Sequence, residues 1–332
     1  MSTETRRGLR IALTFTIAFV TAELLRLDLQ LTFLAPLVAG TLAAGPAIGA
    51  GRLVALTIIA WLLVALAGLA MQFLAEQPLV LCLLGLWIYY GAFKLLADPH
   101  KATLGLVMLI VFTIVPQTLI KGPELSSDLA YWFFLNFAIA ATSTWAMRWL
   151  LPDPQPKVEA PRAPQLPPLV AALALLLAVI LAAAMKPPAP GAVMIGIIIT
   201  LRADGETAAN VIRDRFAAAV LGGAVAVLVW EVLWLAPTLP VLATVVLLAA
   251  WPFARVVAGG GPYAAMALKS MNVLAILMGE GFSVFYADAD DRIWTRLAGV
   301  VVGLTYVAAV LALLQRFTVP RSDAPAPQQA GT

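Results

Sequence analysis

Long apolar runs, separated by short charged turns, constrain this chain more than any other feature. Leu53–Leu74 and Ile212–Leu235 are the clearest, the first entered through Arg52 and the second running in past Arg213 and Arg215. Each matches the ~20 residues a helix needs to cross a bilayer. Membrane barrels alternate polar and apolar residues in ~10-residue strands, and no such alternation is present. In hydrocarbon the backbone of a continuous run satisfies its own polar groups only as a helix. Composition agrees: charged residues make up 12% of the chain and mean hydropathy is +0.95. A soluble domain carries roughly 25% charged residues. Too little polar surface is left to cover a water-soluble globule.

The first run follows Arg6, Arg7 and Arg10 and could pass for a signal peptide. Further apolar runs follow in place of a cleavage site and a soluble body, so it reads as the first span. Twelve spans are expected, near Gly8–Leu25, Leu31–Ala50, Leu53–Leu74, Pro78–Leu96, Ala102–Ile120, Ala130–Leu151, Pro168–Met185, Ala189–Leu201, Ile212–Leu235, Pro240–Val257, Pro262–Met278 and Ile293–Gln315. With both termini inside, fifteen of the 21 Lys and Arg fall in cytoplasmic segments and five outside, with Lys269 within a span. That bias satisfies the positive-inside rule. Asp288, Asp290 and Asp291 lie together on the outer side.

Pro152–Pro167 is the one polar stretch without an apolar run, and its six prolines give an extended, semi-rigid linker. It divides the chain into a first membrane repeat over 1–151 and a second over 168–320, with 321–332 a disordered tail. A shift of 162 residues superposes Pro78 on Pro240, Asp128 on Asp290 and Trp132 on Trp294. Six spans per half is an even number, so both halves share one orientation and a pseudo-two-fold axis along the membrane normal. The expected fold class is all-α: a polytopic membrane protein of two parallel six-helix repeats.

In transporters built from repeats, short or Gly/Pro-interrupted spans at matching positions mark the substrate site. The second span of each half fits. The first-half copy carries Pro36, Gly40, Gly45, Pro46, Gly49 and Gly51; the second-half copy has Pro190, Gly191 and Gly196. The plain alternative is that Gly and Pro are simply commoner in membrane helices, where they allow close packing. Lys269, with Asn272 three residues on, is the most informative single residue. A lysine near mid-bilayer costs at least ~2.5–3.5 kcal/mol on insertion scales, so it should face a cavity or a partner, where it would attract a carboxylate. The alternative is that it snorkels to the interface. Glu23, Glu231 and Glu280 are candidate proton carriers, since a carboxylate in a low-dielectric site can hold a proton; each also fits a wetted interfacial acid. Cys82 is the sole cysteine and His100 the sole histidine, so neither a disulfide nor a metal centre is expected, and no cofactor.

The segment Thr200-Leu201-Arg202-Ala203-Asp204-Gly205-Glu206-Thr207, followed by Arg213, Arg215, Gly222 and Gly223, carries a family likeness. A short Pro-bearing span, a Gly-x-Thr turn, arginine and a Gly-rich span resemble the fusaric-acid-resistance and aromatic-acid-exporter superfamily of bacterial inner-membrane proteins, in particular its short DUF2955-type members. Thr41, Gly45, Pro46, Gly49, Arg52 and Gly68 form a degenerate first copy. Many members of that superfamily carry a large cytoplasmic domain in or after each half; here only the Pro-rich linker stands in that place. The resemblance implies export of aromatic or other lipophilic carboxylic acids from the cytoplasm, often beside a periplasmic adaptor of the membrane-fusion type.

The leading expectation is therefore an inner-membrane efflux permease for small organic anions, in contact with lipid and an adaptor, with homo-oligomerisation left open and no role for nucleic acid. No Gly-Lys-[ST] phosphate loop is present, which removes ATP as its direct energy source. A passive anion channel is the alternative, and a proton-gradient dependence of flux separates the two. An intramembrane enzyme or scaffold finds no paired catalytic residues in its favour. The major facilitator type of twelve-helix fold usually has an acid in the loop between spans two and three; Gly45–Arg52 has none.

Overall fold

The computed structural model describes residues 2–25, 32–74, 76–98, 101–119, 126–152, 167–185, 194, 197–198, 208–281 and 305–306. Among these, every regular element is a helix, and there are ten. In chain order they are α1 (Thr3–Leu24), α2 (Leu34–Ala44), α3 (Ala50–Leu74), α4 (Pro78–Leu96), α5 (Ala102–Leu119), α6 (Ser126–Leu150), α7 (Pro168–Met185), α8 (Ala208–Leu235), α9 (Leu239–Gly259) and α10 (Ala264–Gly281).

Local chemistry sets several of the ends. Ser2 caps α1, its hydroxyl accepting the N–H of Thr5 at 3.1 Å. Prolines open α4 and α7, where a missing N–H costs nothing. Gly260 closes α9 with φ of 71°, a left-handed turn suited to glycine.

Four segments are long and apolar enough to cross a membrane: α3, α4, Phe216–Leu235 of α8, and α9. Their outward surfaces are apolar as well. Phe73, Leu79, Trp87, Trp234 and Leu235 are each more than 70% exposed. So much contiguous apolar surface suits lipid and not water. The chain is a helical membrane protein.

The helices pack by adjacency. α1 lies against α2, α6 and, most extensively, α9; α2 is enclosed by α1, α6 and α10. α3 packs on α5 and α6, α4 on α5 and α7, and α10 on both α8 and α9. Glycine brings two of these pairs to backbone contact. A β-carbon at Gly105 would sit 2.6 Å from the carbonyl oxygen of Ala92, and one at Gly222 would sit 2.5 Å from that of Ser270. Small residues at membrane interfaces allow this approach.

Basic residues gather at one end of the bundle, where Glu4, Asp98 and Asp214 also lie. Arg6 reaches Pro152 O at the end of α6, and Gly8 lies on Ala254 and Arg255 near the end of α9. Short turns at 45–49 and 236–238 then fix the helices they join as antiparallel, and Lys101 N donates to Asp98 O where α4 passes to α5. One end so defined collects Arg6, Arg7, Arg52, Lys94, Lys101, Arg148, Arg213 and Arg255. Toward the opposite end lie Glu23, Glu76, Asp128 and Glu231.

Helix limits follow the expected spans closely at α4 and α7 and within a few residues for most others. The second span differs: its helix stops at Ala44, six residues short of the expected end. It also runs unbroken through Pro36 and Gly40. Pro36 is its third residue, a position whose N–H has no acceptor within the helix, so proline does not interrupt it. The irregular backbone lies beyond the helix, at Gly45–Gly49. Expected spans eight and twelve, the linker, His100, the Asp288–Asp291 group and the tail fall almost wholly outside the described residues.

Candidate functional site

An 11-residue helix is about 16 Å long, roughly half the ~30 Å hydrocarbon thickness of a bilayer. In α2 nine of the eleven residues are buried. The N–H groups at its start and the carbonyls at its end have no partner within the helix. Burial makes it costly to leave them unmet. Side chains from α6 and α1 meet them.

At the start of α2, Asn136 Oδ1 accepts the backbone N–H of Ala35 at 3.1 Å, while Asn136 Nδ2 donates to Trp132 O at 2.9 Å. At its end, Arg148 Nη2 donates to Leu42 O and Pro46 O, each at 2.7 Å, and more weakly to Gly45 O at 3.3 Å. Arg7 Nη2 donates to Ala44 O at 3.1 Å. Positive charge at a helix C-terminus also complements the helix dipole.

These contacts belong to two polar tracks. On α6, Asn136, Ser143 and Thr144 are buried within an otherwise apolar core, and Arg148 follows one turn later. On α1, Arg7 is half-buried and Arg10, one turn farther in, is only 4% exposed. The hydroxyl of Thr14, also buried, donates to Arg10 O at 2.7 Å. Arg7 from α1 and Arg148 from α6 thus converge on the end of α2, at the basic end of the bundle. Pro46, Ala47 and Gly49 are exposed there.

Farther along α2 the bundle is closed. A β-carbon on Gly40 would lie 2.7 Å from Met271 Cε and 3.3 Å from Phe15 Cδ2, where α1, α2 and α10 converge. Thr32 Oγ1 donates to Gly279 O, and Gly279 presses on the backbone of Phe33. Helices α2 and α10 are therefore antiparallel, with Phe33 beside Gly279 and Gly40 beside Met271.

The expected site residues distribute as follows. Pro36 is buried, and Gly40 serves close packing. Lys269 is half-buried on α10. It stands two residues before Met271, a rotation of about 200°, so it lies on the side of α10 away from α2. Asn272 is half-buried near it, and its Oδ1 is buried without a hydrogen-bond partner. Lys269 thus does not share the Gly40–Met271 contact between α2 and α10. Glu23 is half-buried in the last turn of α1, and Glu231 is exposed on α8. Pro190, Gly196 and the side chain of Glu280 lie outside the described residues.

Arg7, Arg10, Asn136 and Arg148 are what sequence reasoning missed as a group. The three arginines were counted only as charges that orient the chain. The spacing of Asn136, Ser143, Thr144 and Arg148 was a usable signal, since offsets of 7, 8 and 12 put polar groups along one side of a helix.

Compared with models of protein families, with curated proteins and with solved structures, the chain matches none.

Proposed function

We propose that the protein is an inner-membrane permease that exports small organic carboxylates, with twelve spans in two parallel six-helix repeats. The observation that carries the anion reading is the placement of Arg7 and Arg148 at one end of a short buried helix, with exposed backbone beside them. The basic end of the bundle would face the cytoplasm under the positive-inside rule, so this cationic opening would load from the cytoplasm.

Two features support the repeat. Helix ends recur at nearly the same spacing: α5 opens at Ala102 and α10 at Ala264, which differ by 162, while α3 ends at Leu74 and α8 at Leu235, which differ by 161. Contacts recur too. If α1, α3, α4 and α5 correspond to α7, α8, α9 and α10, the pair α1–α9 becomes α7–α4, and both pairs are in contact. The pairs α3–α5 and α8–α10 correspond in the same way, as do α4–α5 and α9–α10. Exchange of this kind is what a two-fold axis along the membrane normal produces.

Uptake of labelled benzoate into inverted membrane vesicles, with and without an imposed proton gradient, tests the proposal. Accumulation that depends on the gradient supports a coupled permease. Equilibration that ignores it supports a passive organic-anion channel built on the same residues. Vesicles that take up no more benzoate than protein-free controls would overturn both readings.

A further inference from the structure

We infer that Pro116 and Tyr89 form a pinned hinge near the end of α5. The proline removes a rung from the hydrogen-bond ladder of α5, and the Tyr89 hydroxyl of α4 takes its place. The last turn of α5 is thus the point where that helix can flex, and one side chain of α4 holds it.

Pro116 lies inside α5, which continues to Leu119. Proline has no N–H, so the carbonyl four residues back loses its helical donor, and the ring crowds it as well. That carbonyl belongs to Phe112. Leaving it unmet inside a membrane bundle is costly. The Tyr89 hydroxyl donates to Phe112 O at 2.9 Å. Tyr89 is 3% exposed and Phe112 7%, so water does not compete for this bond. A phenol from the neighbouring helix supplies the donor that residue 116 lacks. Thr113, the one polar side chain between Leu104 and Val115, is wholly buried in the same turn.

The packing of α4 and α5 places the hinge. Toward the basic end the two helices are in backbone contact, where a β-carbon on Gly105 would meet Ala92 O at 2.6 Å. The Tyr89–Phe112 bond follows about 10 Å farther along α5. Those two fixed points hold the inner part of α5 to α4. Past Phe112 the ladder is interrupted, and proline is the commonest cause of a helix bend. Tyr89 also stands where α4 meets α7. A β-carbon on Gly85, one turn earlier, would lie 3.7 Å from Leu176 Cδ1 of α7 and 3.8 Å from Tyr89 Cε2. The end of α5 is therefore held from the helix that carries the contact with α7. The second half of the chain has no such pair. At positions 162 residues later Tyr89 meets Trp251, Phe112 meets Leu274 and Pro116 meets Met278. No proline occurs within α10, so each of its residues keeps its N–H.

The test is a double-mutant cycle on the full chain in lipid–detergent micelles, read by SDS-induced unfolding and by amide hydrogen exchange. Tyr89→Phe leaves Phe112 O unmet and should raise the unfolding constant about five- to thirtyfold. In a Pro116→Ala background the alanine N–H meets that carbonyl, so the same change should raise it less than about threefold. Exchange of the amides at 113–119 should quicken about tenfold in Tyr89→Phe and return to the wild-type rate or slower when Pro116→Ala is added. Amides at 104–108, inward of the bond, should change less than about twofold. Thr113→Val removes the neighbouring hydroxyl and should leave the effect of Tyr89→Phe unchanged. An equal effect of Tyr89→Phe with and without Pro116 would reduce the phenol to packing and overturn the hinge. Quickened exchange along the whole of α4 and α5 would also overturn it, as general loosening. So would an effect that depends on Thr113 in place of Pro116, which would assign the phenol to that hydroxyl.

Discussion

The side-chain oxygen of Asn136 accepts the backbone N–H of Ala35, buried at the start of a helix that spans only half a bilayer. Replacing Asn136 by leucine leaves that N–H unmet in an apolar setting, at a cost of about 1–3 kcal/mol. Thermal unfolding in nanodiscs should show Asn136→Leu melting below wild type. A melting temperature equal to wild type would mean that α2 does not depend on this bond.

Gly222 tests the contact between α8 and α10. An added β-carbon would meet Ser270 O at 2.5 Å and Val273 Cβ at 2.9 Å, and the first of these is backbone that cannot rotate away. Gly222→Ala should destabilise the protein by about 1–3 kcal/mol, the range for overpacking. Gly85→Ala is the comparison: its nearest atoms would be at 3.7 and 3.8 Å, ordinary contact, and it should be close to neutral. Chemical or thermal unfolding of the two variants side by side checks the difference.

The orientation is tested with single cysteines in a Cys82→Ala background. Ala47 is exposed at the basic end and Thr238 at the acidic end. In intact cells a membrane-impermeant maleimide should label Thr238→Cys and spare Ala47→Cys, with the reverse in inverted vesicles. The opposite pattern would place the arginine site outside and contradict cytoplasmic loading.

Much of the helical layout was legible beforehand, and the reasons are local. Pro78 and Pro168 mark where α4 and α7 begin, because proline is tolerated in a first helical turn and rarely later. Gly45-Pro46 marks an interruption in the second span, yet the expected span runs on to Ala50, six residues past the helix end. The unbroken path through Pro36 was not legible either, because position within a helix decides whether proline breaks it. The site was the harder part. Arg148 read as one more inner-leaflet charge, since sequence gives its distance from a helix end but not the neighbouring helix whose carbonyls it meets. Gly40 read as a break beside a cavity, whereas Met271, 231 positions later, fills the space at its side. Contacts of that range leave no trace in hydrophobic periodicity.

Lys269 remains a discriminating residue even though it lies across α10 from the arginine site. If it acts on the anion by charge, benzoate flux at matched expression should fall in the order wild type, Lys269→Arg, Lys269→Ala, Lys269→Glu. If it serves the fold alone, the arginine and alanine variants should have similar flux and differ in thermal stability. The vesicle assay and a melting curve for each variant separate the two roles.

The shortness of α2 also bears on how a transmembrane voltage would be felt. Potential falls mainly across the dry, weakly polarisable layer, at about 2.3 kcal/mol per elementary charge per 100 mV for a full crossing. At the basic end of α2 the Gly45–Gly49 backbone is largely exposed, while the opposite end of the helix, at Asn136, is buried. On the proposed cytoplasmic loading, an anion would reach Arg148 before crossing most of that layer, and an inside-negative cell would drive it outward from there.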